Sequence, residues 1–176
     1  MAVSAAGETQ TGTIKEFYGG QMTYRGRTYH FFVQSYTLIA AVERDYLEWA
    51  GTHFRLVASE VIDSQKNWLE VIFDRAIDIG VQTNVSGTAV IFQNGIQKAT
   101  APWSYSASSR GTVKVTVPAG TFQTTEWETV LRLGPAETFA RIYAVGIQGV
   151  RTDTKIYASG SLTTTWYTEL VSGPVR

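Results

Sequence analysis

Short segments rich in aromatic and β-branched residues recur along this chain, and turn residues separate them. Thr112–Val117 alternates polar and apolar residues before Pro118, and Asn94 with Gly95 follows another such segment. Alternation with a period of two is the pattern of a strand with one buried face, and paired turn residues mark hairpins. The pattern therefore predicts a mostly β protein built from many short strands.

The N-terminal part contains three further signals. Residues 1–12 are small and polar without periodicity, which predicts a flexible arm. Two aromatic runs flank Arg25 and Gly26, which predicts a hairpin. Apolar residues of segment 40–51 recur at helical spacing, and Gly51 stands where a helix would end, so one short helix is expected there. The predicted parts of the chain are a flexible arm at 1–12, a hairpin with a short helix at 13–54, and a β-sandwich domain at 55–176.

Composition argues against several classes of partner. Fifteen lysines and arginines balance fifteen aspartates and glutamates, so the formal net charge is zero. Nucleic-acid binding through phosphate contacts needs a basic surface, and so does attraction to an anionic membrane. We therefore expect no nucleic-acid partner and no membrane insertion. The chain has no cysteine, which excludes thiol chemistry and disulfides.

The apolar segments and the N-terminus bear on localisation. No apolar run approaches the roughly 20 residues that cross a bilayer as a helix. The first residues lack a basic region followed by an apolar stretch, so no signal peptide is predicted. We expect synthesis in the cytoplasm.

The residue types that carry catalysis do not form a recognisable site. His30 and His53 both lie in predicted strands, without the spacing of metal ligands. Glu126 and Glu128 flank Trp127, which places both carboxylates on one solvated strand face and does not indicate a glycosidase pair. Nucleophile and phosphate-binding motifs do not occur. We predict no catalytic residue, no metal site and no cofactor.

Three aspartates are further candidates for a site. Asp74 and Asp78 are close in sequence, and Asp63 lies in a polar turn. They could line a calcium-binding loop, but turn residues that satisfy local backbone groups are the simpler explanation.

The aromatic residues are the strongest pointer to function, with five tryptophans and nine tyrosines. Trp103 and Tyr105 lie in a segment typical of a loop, and Trp127 lies between two glutamates. Amphipathic aromatic side chains in such places are enriched in binding surfaces and can stack on sugar rings. Ordinary packing near strand ends is the alternative. The predicted binding residues are Trp103, Tyr105 and Trp127.

Three segments carry a resemblance to a known family. Trp68–Ile79 is a strand followed by a Phe-Asp-x-Ala motif, Val90–Gly95 is a strand that ends in Asn-Gly, and Val113–Gly120 is an alternating strand that closes on Pro-Ala-Gly. The stretch from about Arg55 to Leu133 resembles the immunoglobulin-like surface modules of bacteria and phages. This resemblance implies an immunoglobulin-like antiparallel β-sandwich that acts as a spacer, adhesin or virion decoration without shared catalytic residues.

Together these observations predict a non-catalytic structural or surface-presenting protein. The leading function is a bacteriophage virion component, associated with the tail or capsid, with a role in assembly or host contact. It would be made in the host cytoplasm, leave in the virion, and bind its own copies or other virion proteins, with surface glycans as further partners. The alternative is a carbohydrate-binding module or lectin that uses loop aromatics. The third function, a small β-barrel hydrolase, is disfavoured by the missing site chemistry.

Overall fold

The computed structural model describes residues 2–5, 8–37, 39–146 and 148–171. These residues contain thirteen β-strands and no helix. The strands are β1 (Ala2–Ala5), β2 (Glu8–Thr11), β3 (Ile14–Tyr24), β4 (Arg27–Tyr36), β5 (Ala41–Trp49), β6 (Phe54–Ile62), β7 (Trp68–Asp78), β8 (Thr83–Gln93), β9 (Ile96–Val117), β10 (Gly120–Leu133), β11 (Ala136–Val145), β12 (Gln148–Ala158) and β13 (Ser161–Glu169). The prediction of a mostly β, antiparallel protein is confirmed.

The chain forms two compact units. Unit 1 comprises residues 1–11, 80–85 and 104–176, and unit 2 comprises residues 12–79 and 86–103. In unit 1, β1 pairs with both β13 and β2, so most of the predicted N-terminal arm is described as strand. In unit 2, the predicted border after residue 54 lies at the beginning of β6, which pairs with β5 and β7.

The strand pairing in each unit connects neighbours in the chain. In unit 2 the hydrogen-bonded order runs from β3 to β8, and in unit 1 it runs from β10 to β13. This is the connectivity of a meander, whereas an immunoglobulin sandwich has Greek-key connections. Within these two series no described pairing has the Greek-key form. The pairing therefore favours a meander over the predicted immunoglobulin topology.

The predicted helix at residues 40–51 is wrong, because this segment is strand β5. Its backbone pairs with β4 on one side and with β6 on the other, which satisfies its hydrogen-bonding groups without a helix. The pairing with β6 shifts register between Tyr46 and Leu47, and both side chains are buried. Two consecutive buried residues interrupt the period of two, and this irregularity imitates helical spacing.

Both turns predicted from dipeptides are confirmed. Arg25 and Gly26 have φ angles of 48° and 79°, and Asn94 and Gly95 have φ angles of 51° and 78°. Two consecutive residues with positive φ form the tight turn that suits the twist of a two-stranded hairpin. These turns join β3 to β4 and β8 to β9.

Strand β3 carries a bulge. Its pairing with β4 shifts register between Tyr18 and Gly20, and Gly20 has a φ of 97°. A Cβ atom on the neighbouring Gly19 would lie 2.1 Å from the ring of Phe31, so only glycine fits beneath that ring. In the described part of unit 2, β4 is the one strand that pairs with β3.

Each unit has its own apolar interior. In unit 2 the buried side chains come from β4 to β9, and in unit 1 they come from β9 to β12. The principal buried residues of unit 2 are Val33, Tyr46, Leu47, Ala58, Phe73, Ile77, Ala89 and Trp103. The central cluster of unit 1 comprises Val115, Val117 and Val150, packed against Phe122, Tyr143 and Leu170.

Two glutamates are buried in unit 2, and each has a cationic partner. Glu60 is 5% exposed and accepts a hydrogen bond from Arg44. Glu70 is 2% exposed and accepts hydrogen bonds from the Tyr24 hydroxyl and from Arg25, whose Nη2 lies 3.0 Å from Oε2. Burial of a carboxylate is costly unless it is paired in this way. The pair with Arg25 also ties the β3–β4 turn to strand β7.

Candidate ligand-binding face

Five ring-bearing side chains lie on one face of unit 2. Tyr18 on β3 is directly opposite Phe32 on β4, and Trp49 on β5 is directly opposite Phe54 on β6. Directly paired residues share a face, as do residues two apart on one strand, so His30 and Phe32 point the same way. Ring contacts across β4 and β6 place both sets together. We call the surface formed by Tyr18, His30, Phe32, Trp49 and Phe54 the aromatic face.

The rings of the aromatic face form an unbroken series of contacts. The ring centroids of Tyr18 and Phe32 are 5.4 Å apart, those of Phe32 and Phe54 are 5.9 Å apart, and those of Phe54 and Trp49 are 4.9 Å apart. These separations are those of favourable edge-to-face and tilted aromatic pairs. Tyr18 and Trp49, at the two ends of the series, are each 51% exposed. The inner rings thus hold the outer rings in place at the surface.

Hydrogen bonds fix the position of His30 within the aromatic face. The Tyr18 hydroxyl lies 2.7 Å from Nδ1 of His30, and Nε2 of Gln21 lies 3.3 Å from Nε2. The other histidine, His53, contacts Asp78 through Nε2 at 2.7 Å. Both imidazoles therefore have side-chain partners. Among the described residues there is no group of three or more acidic, histidine or cysteine side chains suited to a metal ion.

Three carboxylates adjoin the aromatic rings on the same face. Glu16 and Glu43 both lie opposite Gln34, and Asp45 lies opposite Phe32. Directly opposite side chains have Cβ atoms about 4.5–5.5 Å apart, which puts Asp45 beside the ring of Phe32. We call Glu16, Glu43 and Asp45 the acidic patch.

Neutral side chains donate hydrogen bonds to two carboxylates of the acidic patch. Gln34 Nε2 donates to Glu16 at 3.1 Å, and the Tyr36 hydroxyl donates to Glu43 at 2.6 Å. Ser59 Oγ also donates to Glu43, at 3.2 Å. No lysine or arginine forms an ion pair with the patch among the described residues. In their ionised forms, the carboxylates of the patch therefore have no lysine or arginine partner among the described residues.

This arrangement changes the ionisation of the patch. Desolvation, reinforced by the charge of Glu43, raises the pKa of Asp45 to about 7. Desolvation also raises the pKa of Glu16, partly opposed by the hydrogen bond from Gln34. A carboxyl whose pKa is raised on folding disfavours the folded state once it must ionise. Carboxyl groups with raised pKa values are common at binding sites. A cationic ligand can stabilise their ionised form.

The predicted binding residues lie outside this face. Trp103 belongs to unit 2 and is 2% exposed, packed edge-to-face on Phe73 at 5.2 Å. Tyr105 and Trp127 belong to unit 1 and are half-buried, and burial raises the pKa of Tyr105 to about 12. The segment around Trp103 and Tyr105 was expected to be a loop but lies inside β9, so that part of the prediction is wrong.

The carboxylates considered for catalysis have local partners. Glu126 and Glu128 both face Arg141, at 3.2 Å and 3.9 Å, and Glu128 also pairs with Arg110 at 2.7 Å. Asp74 accepts a hydrogen bond from the indole of Trp103 at 3.0 Å. Hydrogen bonding, chiefly from backbone groups, lowers the pKa of Asp74. These contacts are those of structural side chains.

Asp63 acts as a turn residue. Its carboxylate accepts hydrogen bonds from the backbone of Gln65 and Asn67, each at 2.8 Å. A hydrogen bond from the Asn67 side chain, together with these backbone bonds, lowers the pKa of Asp63. The geometry is that of an aspartate that closes its own turn.

The aromatic face could have been suspected from two sequence signals. Phe17 with Tyr18 and Phe31 with Phe32 are consecutive aromatic pairs. In a strand, consecutive side chains point to opposite faces, so each pair must place a ring on both faces. The residues of the acidic patch recur at spacings of two along β3 and β5 in the same phase as the rings. What the sequence lacks is the pairing that brings these strands side by side.

Comparison with known proteins leaves the site to be interpreted from its geometry. No protein-family model, curated protein or solved structure matches the chain. The described residues contain no helix that is long and apolar enough to cross a membrane.

Proposed function

We propose that the protein is a non-catalytic carbohydrate-binding protein that holds an oligosaccharide on the aromatic face. The observation that carries this proposal is the contact series from Tyr18 through Phe32 and Phe54 to Trp49, which is exposed at both ends. Sugar rings have an apolar face that stacks on aromatic side chains and an edge of hydroxyls that needs hydrogen-bond acceptors. The aromatic face offers the first, and the adjoining carboxylates and Gln34 offer the second.

Charge distinguishes a sugar from the other common ligand of aromatic surfaces. Bases of single-stranded nucleic acids also stack on such rings, but their binding proteins add a positive groove that follows the phosphates. Here the groups beside the rings are Glu16, Glu43 and Asp45. A phosphate backbone would be repelled, whereas an uncharged sugar would not.

Two observations support a role without catalysis. Glycoside hydrolysis uses a pair of carboxyl groups on opposite sides of the scissile bond. The residues of the acidic patch lie together on one face, at neighbouring positions of β3 and β5. The carboxylate pairs at Asp74 and Asp78 and at Glu126 and Glu128 are engaged in hydrogen bonds or ion pairs of their own.

Alanine substitution in the aromatic face tests the proposed function. We expect Trp49→Ala and Tyr18→Ala each to weaken binding of a glycan selected on an array by about tenfold, because each removes one end of the stacking surface. Isothermal titration calorimetry measures the change. Trp127→Ala is the matched control, since it removes a tryptophan from unit 1 and should leave the affinity unaltered. Unchanged affinity in both aromatic-face variants would refute the proposal.

A second candidate function is the virion component that associates with its own copies. It is favoured by strand β3, whose outer edge has no described partner strand and whose Phe17 is 54% exposed on the face opposite the aromatic face. Exposed apolar side chains on an edge strand are typical of surfaces that another chain covers. Under this candidate, residues of β3 would lie between subunits.

Solution mass distinguishes the two candidates. If the chain assembles through β3, light scattering across a concentration series should give a discrete oligomer for the parent protein. Phe17→Lys should then shift the mass to that of the monomer, because it places a charge in an apolar contact. The matched variant Lys114→Glu, on the exposed side of β9, should leave the mass unchanged. A parent protein that stays monomeric at every concentration would count against self-assembly.

A further inference from the structure

We propose that the oligosaccharide bound by the aromatic face carries protonated amino groups, as a polymer of amino sugars does, and that Glu16, Glu43 and Asp45 bind those amines. This inference rests on the proposed carbohydrate-binding function and specifies the class of sugar. It follows from where the acidic patch lies and from which partners its carboxylates have.

The first step is position. Asp45 is directly opposite Phe32, and Glu16 is two residues before Tyr18 on the same face of β3. A sugar ring stacked on Tyr18 or Phe32 therefore has its substituents within reach of these two carboxylates. Glu43 lies two residues before Asp45, also on this face, so the patch continues alongside the rings.

The second step is the contrast with the other carboxylates of the chain. Arginine forms ion pairs with acidic side chains throughout the described residues, including the buried ones. The carboxylates paired in this way are Glu48, Glu60, Glu70, Glu126, Glu128, Glu137 and Asp153. Asp63, Asp74 and Glu169 also accept hydrogen bonds from neutral groups. The acidic patch differs because it brings three such carboxylates together on one face, with hydrogen bonds from neutral Gln34, Tyr36 and Ser59. A cluster of partly buried carboxylates that lacks a cationic partner is electrostatically complementary to a ligand that carries a positive charge.

The third step is that the rings favour the same ligand charge. The face of an aromatic ring attracts a cation through its quadrupole, and tryptophan does so most strongly. Trp49 and Tyr18 present such rings at the surface. Stacking, cation–π attraction and the carboxylates therefore all favour an amine-bearing sugar. Uronic acids and sulfated or phosphorylated sugars would be repelled.

Two hexasaccharides that differ in whether their amino groups are acetylated test the inference. Glucosamine hexamer and N-acetylglucosamine hexamer share linkage and length, but only the first carries amines. Titration calorimetry at about pH 7, where Asp45 is partly ionised and a typical amino group is still mostly protonated, should give about tenfold or more tighter binding of the glucosamine hexamer. The preference should shrink at about 1 M salt, where charges are screened beyond about 3 Å.

Variants locate the effect. The isosteric triple change Glu16→Gln, Glu43→Gln and Asp45→Asn should remove the preference for the glucosamine hexamer. It should lower the affinity for the acetylated hexamer much less, because the amide oxygens can still accept hydrogen bonds from sugar hydroxyls. Trp49→Ala should weaken both. A thermal melt confirms that each variant is folded, and the salt dependence of the parent protein tests the charge preference even if the triple variant unfolds.

The possible results distinguish the preference for amino sugars from the proposed carbohydrate binding itself. Equal binding of the two hexamers, lost in Trp49→Ala, would overturn the amine preference and leave carbohydrate binding intact. Tighter binding of the acetylated hexamer would do the same. No binding of either hexamer, together with no hit on a glycan array, would overturn both proposals.

Discussion

Replacing Trp103 by alanine should lower the free energy of unfolding by about 3–5 kcal/mol, the usual range for removing a large aromatic side chain from a core. The indole is 2% exposed, packs on Phe73 and donates a hydrogen bond to Asp74. Alanine would leave a cavity where the indole packs, and its cost depends on how far the surrounding strands can close. Urea denaturation followed by circular dichroism measures the loss.

Two controls show what the Trp103 result means. Trp103→Phe keeps most of the buried area but lacks the donor to Asp74, so its loss should be clearly smaller than that of alanine. Trp49→Ala removes a half-exposed tryptophan and should change stability by much less. Suppose that Trp103→Ala were as stable as the parent protein but bound the ligand more weakly. Trp103 would then be a ligand-contact residue, as the sequence predicts, and not a core residue.

Removing the cation beside Glu60 should have an effect of similar size. In Arg44→Met, the carboxylate of Glu60 would stay 5% exposed without its cationic partner. Breaking a buried pair from one side costs about 3–5 kcal/mol, because it leaves an uncompensated charge in the interior. Thermal and urea unfolding of the variant should both show the loss.

A double variant distinguishes the loss of the ion pair from the cost of leaving the Glu60 carboxylate buried without a partner. Arg44→Met combined with Glu60→Leu replaces both charges with apolar groups and should regain most of the stability, since such replacements are often neutral. Arg132→Met is the matched surface change, because the pair of Arg132 with Glu137 is exposed and should contribute less than about 1 kcal/mol. A double variant as unstable as Arg44→Met alone would show that the Arg44 side chain matters for its packing and not for its charge.

The sequence predicts correctly the two hairpin turns, whose conformation depends on the residues of the turn themselves. The turns at Arg25 and Asn94 were predictable because a following glycine accepts the positive φ that a tight hairpin needs. The β5 segment was mistaken for a helix because the register shift beside Leu47 buries two neighbours in succession. Such a shift depends on the partner strand β6, and no window of the sequence around β5 contains it.

The candidate site was predicted less well, for a related reason. The sequence predicts aromatic binding residues, and one of the three it indicates, Trp103, is buried in the structure. Whether a ring on a strand is covered depends on which strands lie beside it. The sequence places Trp49 in a predicted helix, so its contact with Phe54 at 4.9 Å across paired strands could not be foreseen. The sequence shows which residues are aromatic, but it does not show which strands lie side by side.

The bulge on β3 has a bearing on how this protein behaves when it is concentrated. Fibrils grow when an unbroken row of backbone amides and carbonyls at a sheet edge captures one identical segment after another. On β3 the bulge at Gly20 interrupts that row and divides the edge into two regular stretches, residues 14–18 and 20–24. Each stretch is shorter than the roughly six or seven residues typical of an amyloid segment, so the bulge works against the stacking of β3 edges when the protein is concentrated.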